Sequence, residues 1–102
     1  AEPTAAVAAR VAEARARQAR RLAGTGWSVN GDVPGPALRR RFPPRAGSLE
    51  AIERSLAAGD LSARGADRVL RVAWTLADLA GRDRPGPHEV LEALGLRTGA
   101  AA

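Results

Sequence analysis

The sequence predicts an all-α fold, a small bundle of about four to five helices. Apolar residues recur at spacings of three and four in several segments, and no segment shows the alternation typical of a strand. Glycine and proline separate these segments, which fixes where each helix stops. A chain of 102 residues has room for one small core, so we interpret 1–102 as a single α-helical domain.

The first predicted helix covers positions 4–23, which consist mainly of alanine, arginine, glutamate and glutamine, all good helix formers. Thr4 is the expected N-cap and Gly24 the expected stop. The apolar face is narrow, so we expect this helix at the edge of the bundle. The residues on that face are Val7, Val11, Ala14, Gln18 and Leu22.

A loop and two shorter helices are predicted next. Turn-forming residues dominate positions 24–36, which include two prolines and an Asn-Gly pair. Positions 36–42 form a short helix that carries three consecutive arginines, Arg39 to Arg41. Positions 48–58 form a third helix, capped by Ser48 and ended by Gly59, with Leu49, Ile52 and Leu56 facing inward.

The fourth helix, at positions 62–80, shows the clearest pattern and lies between a Ser62 cap and a Gly81 stop. A fifth helix, at positions 87–94, follows a turn rich in glycine and proline. The fourth helix has one apolar face, formed by Ala66, Val69, Leu70, Ala73, Leu76, Ala77 and Ala80. The fifth helix is expected to direct Val90, Leu91 and Leu94 inward.

The polar face of the fourth helix suggests an anionic partner. A cation in the first helical turn is unfavourable by about 0.3–1 kcal/mol, because a helix N-terminus already carries partial positive charge. Arg64 lies in that turn, and a bound phosphate would remove the conflict. Arg68 and Arg71 follow on the same face as candidates for anion or subunit contacts, unless they simply form a solvated helix face. We also expect two ion pairs at a spacing of four, Asp67 with Arg71 and Asp78 with Arg82.

The composition excludes several kinds of active site. All 16 basic residues are arginine, cysteine is absent, and His88 is the only histidine. A lysine-containing phosphate-binding loop, a Schiff base, a thiolate metal site and a His-based metal site are therefore excluded from this chain. We expect that the chain by itself is not an enzyme and holds no cofactor. Its net charge of +5 favours anionic partners.

Positions 61–81 read LSARGADRVLRVAWTLADLAG. This stretch closely resembles the signature of the C-terminal domain of magnesium-chelatase-related AAA+ ATPases, a group that includes competence-type branch-migration helicases. Upstream, VAEARARQARR resembles the family's AR-x-RQ-xx-R stretch, and Asn30 falls where the family has an asparagine. Downstream, PHEVLEALGLR resembles the family's closing segment, which ends at Arg97. The chain departs from the family pattern at Trp74 and Leu96, where arginine and tyrosine are usual.

The resemblance implies that the chain is the C-terminal helical lid of a longer AAA+ protein whose P-loop lies upstream. It implies that Arg64 corresponds to the sensor-2 arginine, which contacts the γ-phosphate of ATP. The parent would bind ATP and Mg²⁺, contact neighbouring subunits of a ring through its domains, and act on branched or transforming DNA in the cytoplasm. No apolar run reaches transmembrane length and no signal peptide is visible, so no membrane partner is expected.

Two other interpretations stay open. A stand-alone basic module would bind nucleic acid through Arg39 to Arg41 and the arginines of the fourth helix. A plain helical domain would bind another protein. An upstream GxxxxGK[ST] motif in the parent reading frame would favour the lid over both alternatives.

Overall fold

The computed structural model describes the backbone of residues 3–101 and the side chains of residues 3–97. This part of the chain is all-helical without a strand, which confirms the predicted fold class. Residues 1, 2 and 102 of the predicted domain lie outside the described residues. The helices are α1 (Thr4–Leu22), α2 (Gly35–Arg40), α3 (Glu50–Ala57), α4 (Ala63–Ala80) and α5 (Pro87–Ala101), with a short 3₁₀ helix at Asn30–Asp32.

Helix α4 lies at the centre of the fold and contacts each of the other helices. The core forms around it, because its amphipathic face needs neighbours that remove its apolar side chains from water. Every α-helix contributes at least one buried apolar side chain to this core. Examples, one from each helix in order, are Leu22, Leu38, Ile52, Leu70 and Val90.

Helix α1 lies at the edge of the bundle, as predicted, and buries only Ala14 and Leu22 among its described residues. The predicted Thr4 cap is wrong, because Thr4 is already helical and follows Pro3. The Pro3 carbonyl accepts hydrogen bonds from the next turn, so the helix begins one residue earlier than a threonine cap would allow. The stop is confirmed, since Gly24 has the positive φ of 76° that reverses the chain after α1.

Local capping signals were correct at both ends of α4, but for α3 only the Gly59 stop is confirmed, with a φ of 78°, and the Ser48 cap is wrong. Ser62 Oγ accepts a hydrogen bond from the Gly65 N–H at 3.0 Å, and Gly81 ends α4 in the left-handed conformation. Leu49, and not Ser48, precedes α3, and no side chain caps it. Ser48 is buried, and its hydroxyl donates a hydrogen bond to the Pro85 carbonyl. Ser48 therefore links the segment before α3 to the α4–α5 loop and does not cap α3.

The buried face of α4 is rotated relative to the prediction. Trp74 and Asp78 are buried, whereas Leu76 is half-buried and Ala80 is exposed. The reason is the position of α1 and the 3₁₀ helix, which pack along the Trp74 and Asp78 side of α4. The indole of Trp74 also packs edge-on against Phe42, at 6.4 Å between ring centroids.

Two predictions for the last helix are corrected by the structure. Helix α5 continues to Ala101 instead of ending at position 94. Leu91 faces solvent with 56% of its surface exposed, and Ala93 takes the inward position. Helix α2 likewise begins at Gly35 and ends at Arg40, shifted by one or two residues from positions 36–42.

Candidate functional site

Arg64 is the second residue of α4, in the turn that Ser62 caps. The cap fixes where the helix begins, and it therefore fixes the direction in which Arg64 points. The side chain is exposed, and within the part of the chain that the structure describes it has no ion pair or hydrogen bond. The result is an unneutralised cation beside the free N–H groups of a helix start, a combination that favours an anion.

A second guanidinium lies at the same end of α4. The Arg97 side chain, on α5, approaches Gly65 so closely that a β-carbon at position 65 would lie 3.4 Å from Nη2. The same β-carbon would lie 2.9 Å from Leu61 Cδ1, so a glycine is needed here for close packing. Sequence reasoning did not single out Arg97 as a site residue; its place in the closing family segment was the available signal.

Arg68, one turn after Arg64, is exposed and borders an open cavity of about 290 Å³ between α4 and α5. Arg97 borders the same cavity. The structure therefore connects Arg68 with Arg97 along the α4–α5 groove. The apolar walls of the groove are Val69, Val72, Ala93 and Leu96.

Arg71 is held by the backbone. Its Nε donates a hydrogen bond to the Val33 carbonyl at 2.9 Å, which ties α4 to the loop before α2. The predicted pair between Asp67 and Arg71 is wrong, because α2 brings Arg39 to Asp67 at 2.7 Å while Arg71 turns toward the loop. The role of Arg71 as an anion or subunit contact stays a prediction.

The predicted pair between Asp78 and Arg82 is also wrong. Asp78 is 3% exposed and accepts two hydrogen bonds of 2.7 Å from Arg21 of α1. Arg82 instead pairs with the buried Glu89 at 3.1 Å. Glu89 also accepts the Gly86 N–H at 2.8 Å, the reciprocal half of a capping box at the start of α5.

Around Asp78 the motif residues of α1 and the loop form one polar network. The side-chain amide of Asn30 donates a hydrogen bond to Asp78 at 3.0 Å and accepts one from Arg21 at 2.8 Å. The backbone N–H of Asn30 donates to the side-chain oxygen of Gln18. The Arg21 guanidinium also stacks on the Trp74 ring, 4.2 Å from its centroid. These residues therefore have a structural role, in which each buried polar group is hydrogen-bonded.

Arg39 to Arg41, which the nucleic-acid interpretation uses, differ in their contacts. Arg39 is paired with Asp67, and the Arg41 guanidinium lies over the Phe42 ring at 5.6 Å. Arg40 is exposed and makes neither kind of contact within the described residues. The three arginines therefore do not present three equivalent free cations.

The described residues supply no cluster of three His, Asp or Glu side chains suited to a metal ion. Nor does any helix among them have the length and apolar character that a membrane span requires.

Comparison with known proteins gives matches over nearly the whole chain. Residues 1–97 match the family model described as magnesium chelatase, subunit ChlI C-terminal. The chain is 50% identical over 100 residues to the uncharacterized proteins Mb2921c of Mycobacterium bovis and Rv2897c of Mycobacterium tuberculosis. The match covers 97% of this chain and 20% of each relative, so the chain spans about a fifth of their length. No solved structure matches the chain.

Proposed function

The chain belongs to the family of the magnesium chelatase subunit ChlI C-terminal domain, and from this premise we propose that it is the helical lid of a longer AAA+ ATPase. In this proposal Arg64 acts as the sensor-2 arginine and contacts the γ-phosphate of ATP. The observation that carries the proposal is the unpartnered, exposed guanidinium of Arg64 in the first turn of a capped helix.

The residues at this helix start fit a phosphate. The guanidinium offers paired N–H donors that match phosphate oxygens, and the helix start adds partial positive charge. Arg97, beside Gly65, adds a second cation at the same end of α4. Mg²⁺ and the other phosphate contacts would come from the upstream core of the parent.

The lid would couple the state of the nucleotide to domain motion. With ATP bound, the contact from Arg64 would hold the lid against the core, and loss of the γ-phosphate would release it. The groove bordered by Arg68 and Arg97 would face the core or a neighbouring subunit of the ring. The proposed parent is a cytoplasmic enzyme of the competence type that acts on branched or transforming DNA.

The test is the ATP hydrolysis rate of the parent with Arg64→Ala. We expect a loss of about a hundredfold or more, because a charge-assisted contact to the transferred phosphate is removed where negative charge develops. Thermal melting of the same variant is expected to match the wild type, since Arg64 is exposed and makes no hydrogen bond or ion pair within the described fold.

Arg68→Ala is the matched control, because it removes the same charge from the same helix one turn further along. Its rate loss is expected to be much smaller than that of Arg64→Ala. Similar mild losses for both variants would contradict the sensor-2 assignment and reduce Arg64 to a surface residue.

A further inference from the structure

The fold brings arginines from three parts of the chain to the C-terminal end of α4. Helix α1 contributes two, the loop after α2 contributes one, and the α4–α5 loop contributes two. No single sequence motif contains all of them, and none belongs to the site around Arg64. We call them the arginine patch; its members are Arg17, Arg20, Arg45, Arg82 and Arg84.

The patch is concave. Its first cavity, of about 230 Å³, is lined by Arg17, Arg20, Arg21, Asp78, Arg82 and Asp83. Its second cavity, of about 420 Å³, is lined by Arg45, Gly81, Arg82, Asp83 and Arg84. The two cavities share Arg82 and Asp83 and therefore form one continuous surface.

The patch carries more positive charge than its own carboxylates neutralise. Two ion pairs at its border are satisfied, Arg21 with Asp78 and Arg82 with Glu89. Four other guanidinium groups of the patch have no ion pair or hydrogen bond within the described residues, those of Arg17, Arg20, Arg45 and Arg84. One further carboxylate, Asp83, lines the cavities. Four positive charges minus one negative charge leave a net charge of +3.

Helix dipoles do not account for this surplus. Helices α1 and α4 both end near the patch, and each C-terminus carries about half a negative charge. Together the two helix ends would balance about one arginine. About two positive charges remain, and an external anion is the group that would neutralise them.

The lining of the cavities selects the kind of anion. Charged side chains line both cavities, Gly81 borders only the second, and no apolar or aromatic side chain lines either one. A protein partner would need an apolar centre, and base readout or single-strand stacking would need amide or aromatic side chains. Guanidinium groups bind phosphate oxygens and need neither an apolar centre nor amide or aromatic side chains beside them. We propose that the arginine patch binds the phosphodiester backbone of double-stranded nucleic acid, independently of base sequence.

This inference deepens the proposed action of the parent on DNA but is independent of the role of Arg64. At 1.5 Å per residue, Arg64 and Gly81 lie about 25 Å apart along α4. The patch therefore belongs to the opposite end of the helix from the proposed γ-phosphate contact, and the two assignments can fail separately.

The experiment measures binding of the chain to a fluorescently labelled duplex of random sequence by anisotropy, over a series of salt concentrations. The test variant is Arg20→Gln with Arg84→Gln. We expect its dissociation constant to rise about tenfold at low salt and its salt slope to fall by about 2, since each lost phosphate contact removes about 0.9. Both side chains are exposed, so thermal melting is expected to stay unchanged.

The control variant is Arg40→Gln with Arg54→Gln, which removes the same charge from exposed positions outside both cavities. Equal weakening by the two pairs would overturn the proposal, because net charge alone would then explain binding. Absence of duplex binding at low salt, or displacement of the duplex by polyglutamate as effectively as by unlabelled duplex, would also overturn it. Arg64→Ala is expected to leave duplex binding nearly unchanged, whereas the patch variant is expected to leave ATP hydrolysis by the parent unchanged.

Discussion

At the residue scale, one buried carboxylate organises the contact between α1 and α4. Asp78 accepts hydrogen bonds from Arg21 and Asn30, and Arg21 is itself mostly buried with 15% of its side chain exposed. A buried ion pair is maintained at a cost in desolvation, so its members depend on one another. Removal of either partner leaves the other charge without compensation.

We predict that Asp78→Ala destabilises the chain by about 3 kcal/mol, because Arg21 would stay buried against Trp74 without its carboxylate. Urea unfolding followed by circular dichroism measures this change. Asp83→Ala, in the exposed loop after α4, is the control and is expected to change the free energy of unfolding by less than about 0.5 kcal/mol. If the two variants lost equal stability, overall charge and not the network would be the cause.

The ion pairs show where reasoning from sequence fails at this scale. A spacing of four correctly predicts which residues are neighbours on one helix, but it takes no account of other helices. Arg21 is 57 residues from Asp78, and no local pattern relates the two. The exposure of Arg64, in contrast, was predictable because it depends only on where the Ser62 cap starts the helix.

At the element scale, α4 is the central helix of the fold, because each of the other helices packs against it. The sequence predicted its length and both of its caps, since those signals are local. Which side of α4 is buried most deeply depends on where α1 packs, and that information is absent from the helix itself. For this reason the prediction buried Leu76 and Ala80, whereas the structure buries Trp74 and Asp78.

Leu70→Ala tests the buried face of α4. Leu70 is 1% exposed, and we expect its truncation to cost roughly 2–5 kcal/mol through lost burial and an added cavity. Val72→Ala, on the same helix but 39% exposed, is the control and is expected to cost less than about 1 kcal/mol. Thermal unfolding of both variants provides the comparison. A loss under about 0.5 kcal/mol for Leu70→Ala would show that the helix is rotated differently.

At the scale of the whole molecule, local signals were enough for the fold class but not for the arrangement of the residues around the candidate site. The family motif predicted Arg64, whereas Arg97 reaches the same helix end only because α5 folds back along α4. The arginine patch likewise depends on three segments that meet only in the folded chain. Residues that are distant in sequence and meet only in the folded chain can be recognised as one surface only from the three-dimensional structure.

The 102-residue chain alone is expected to melt cooperatively and to release no phosphate from ATP above background. The physical reason is that it contains no lysine, and therefore lacks the phosphate-binding loop that an AAA+ enzyme requires. Far-UV circular dichroism and a phosphate-release assay on the purified chain measure the two properties. Turnover that co-purifies with the folded chain would contradict its assignment as a lid.

The most direct test of the central claim is a structure of the parent protein with a non-hydrolysable ATP analogue. The proposed function predicts that a guanidinium nitrogen of Arg64 lies about 2.7–2.9 Å from an oxygen of the γ-phosphate, the range of a charge-assisted hydrogen bond. An Arg64 side chain that faces solvent in the nucleotide-bound state, with the γ-phosphate held by other residues, would contradict it.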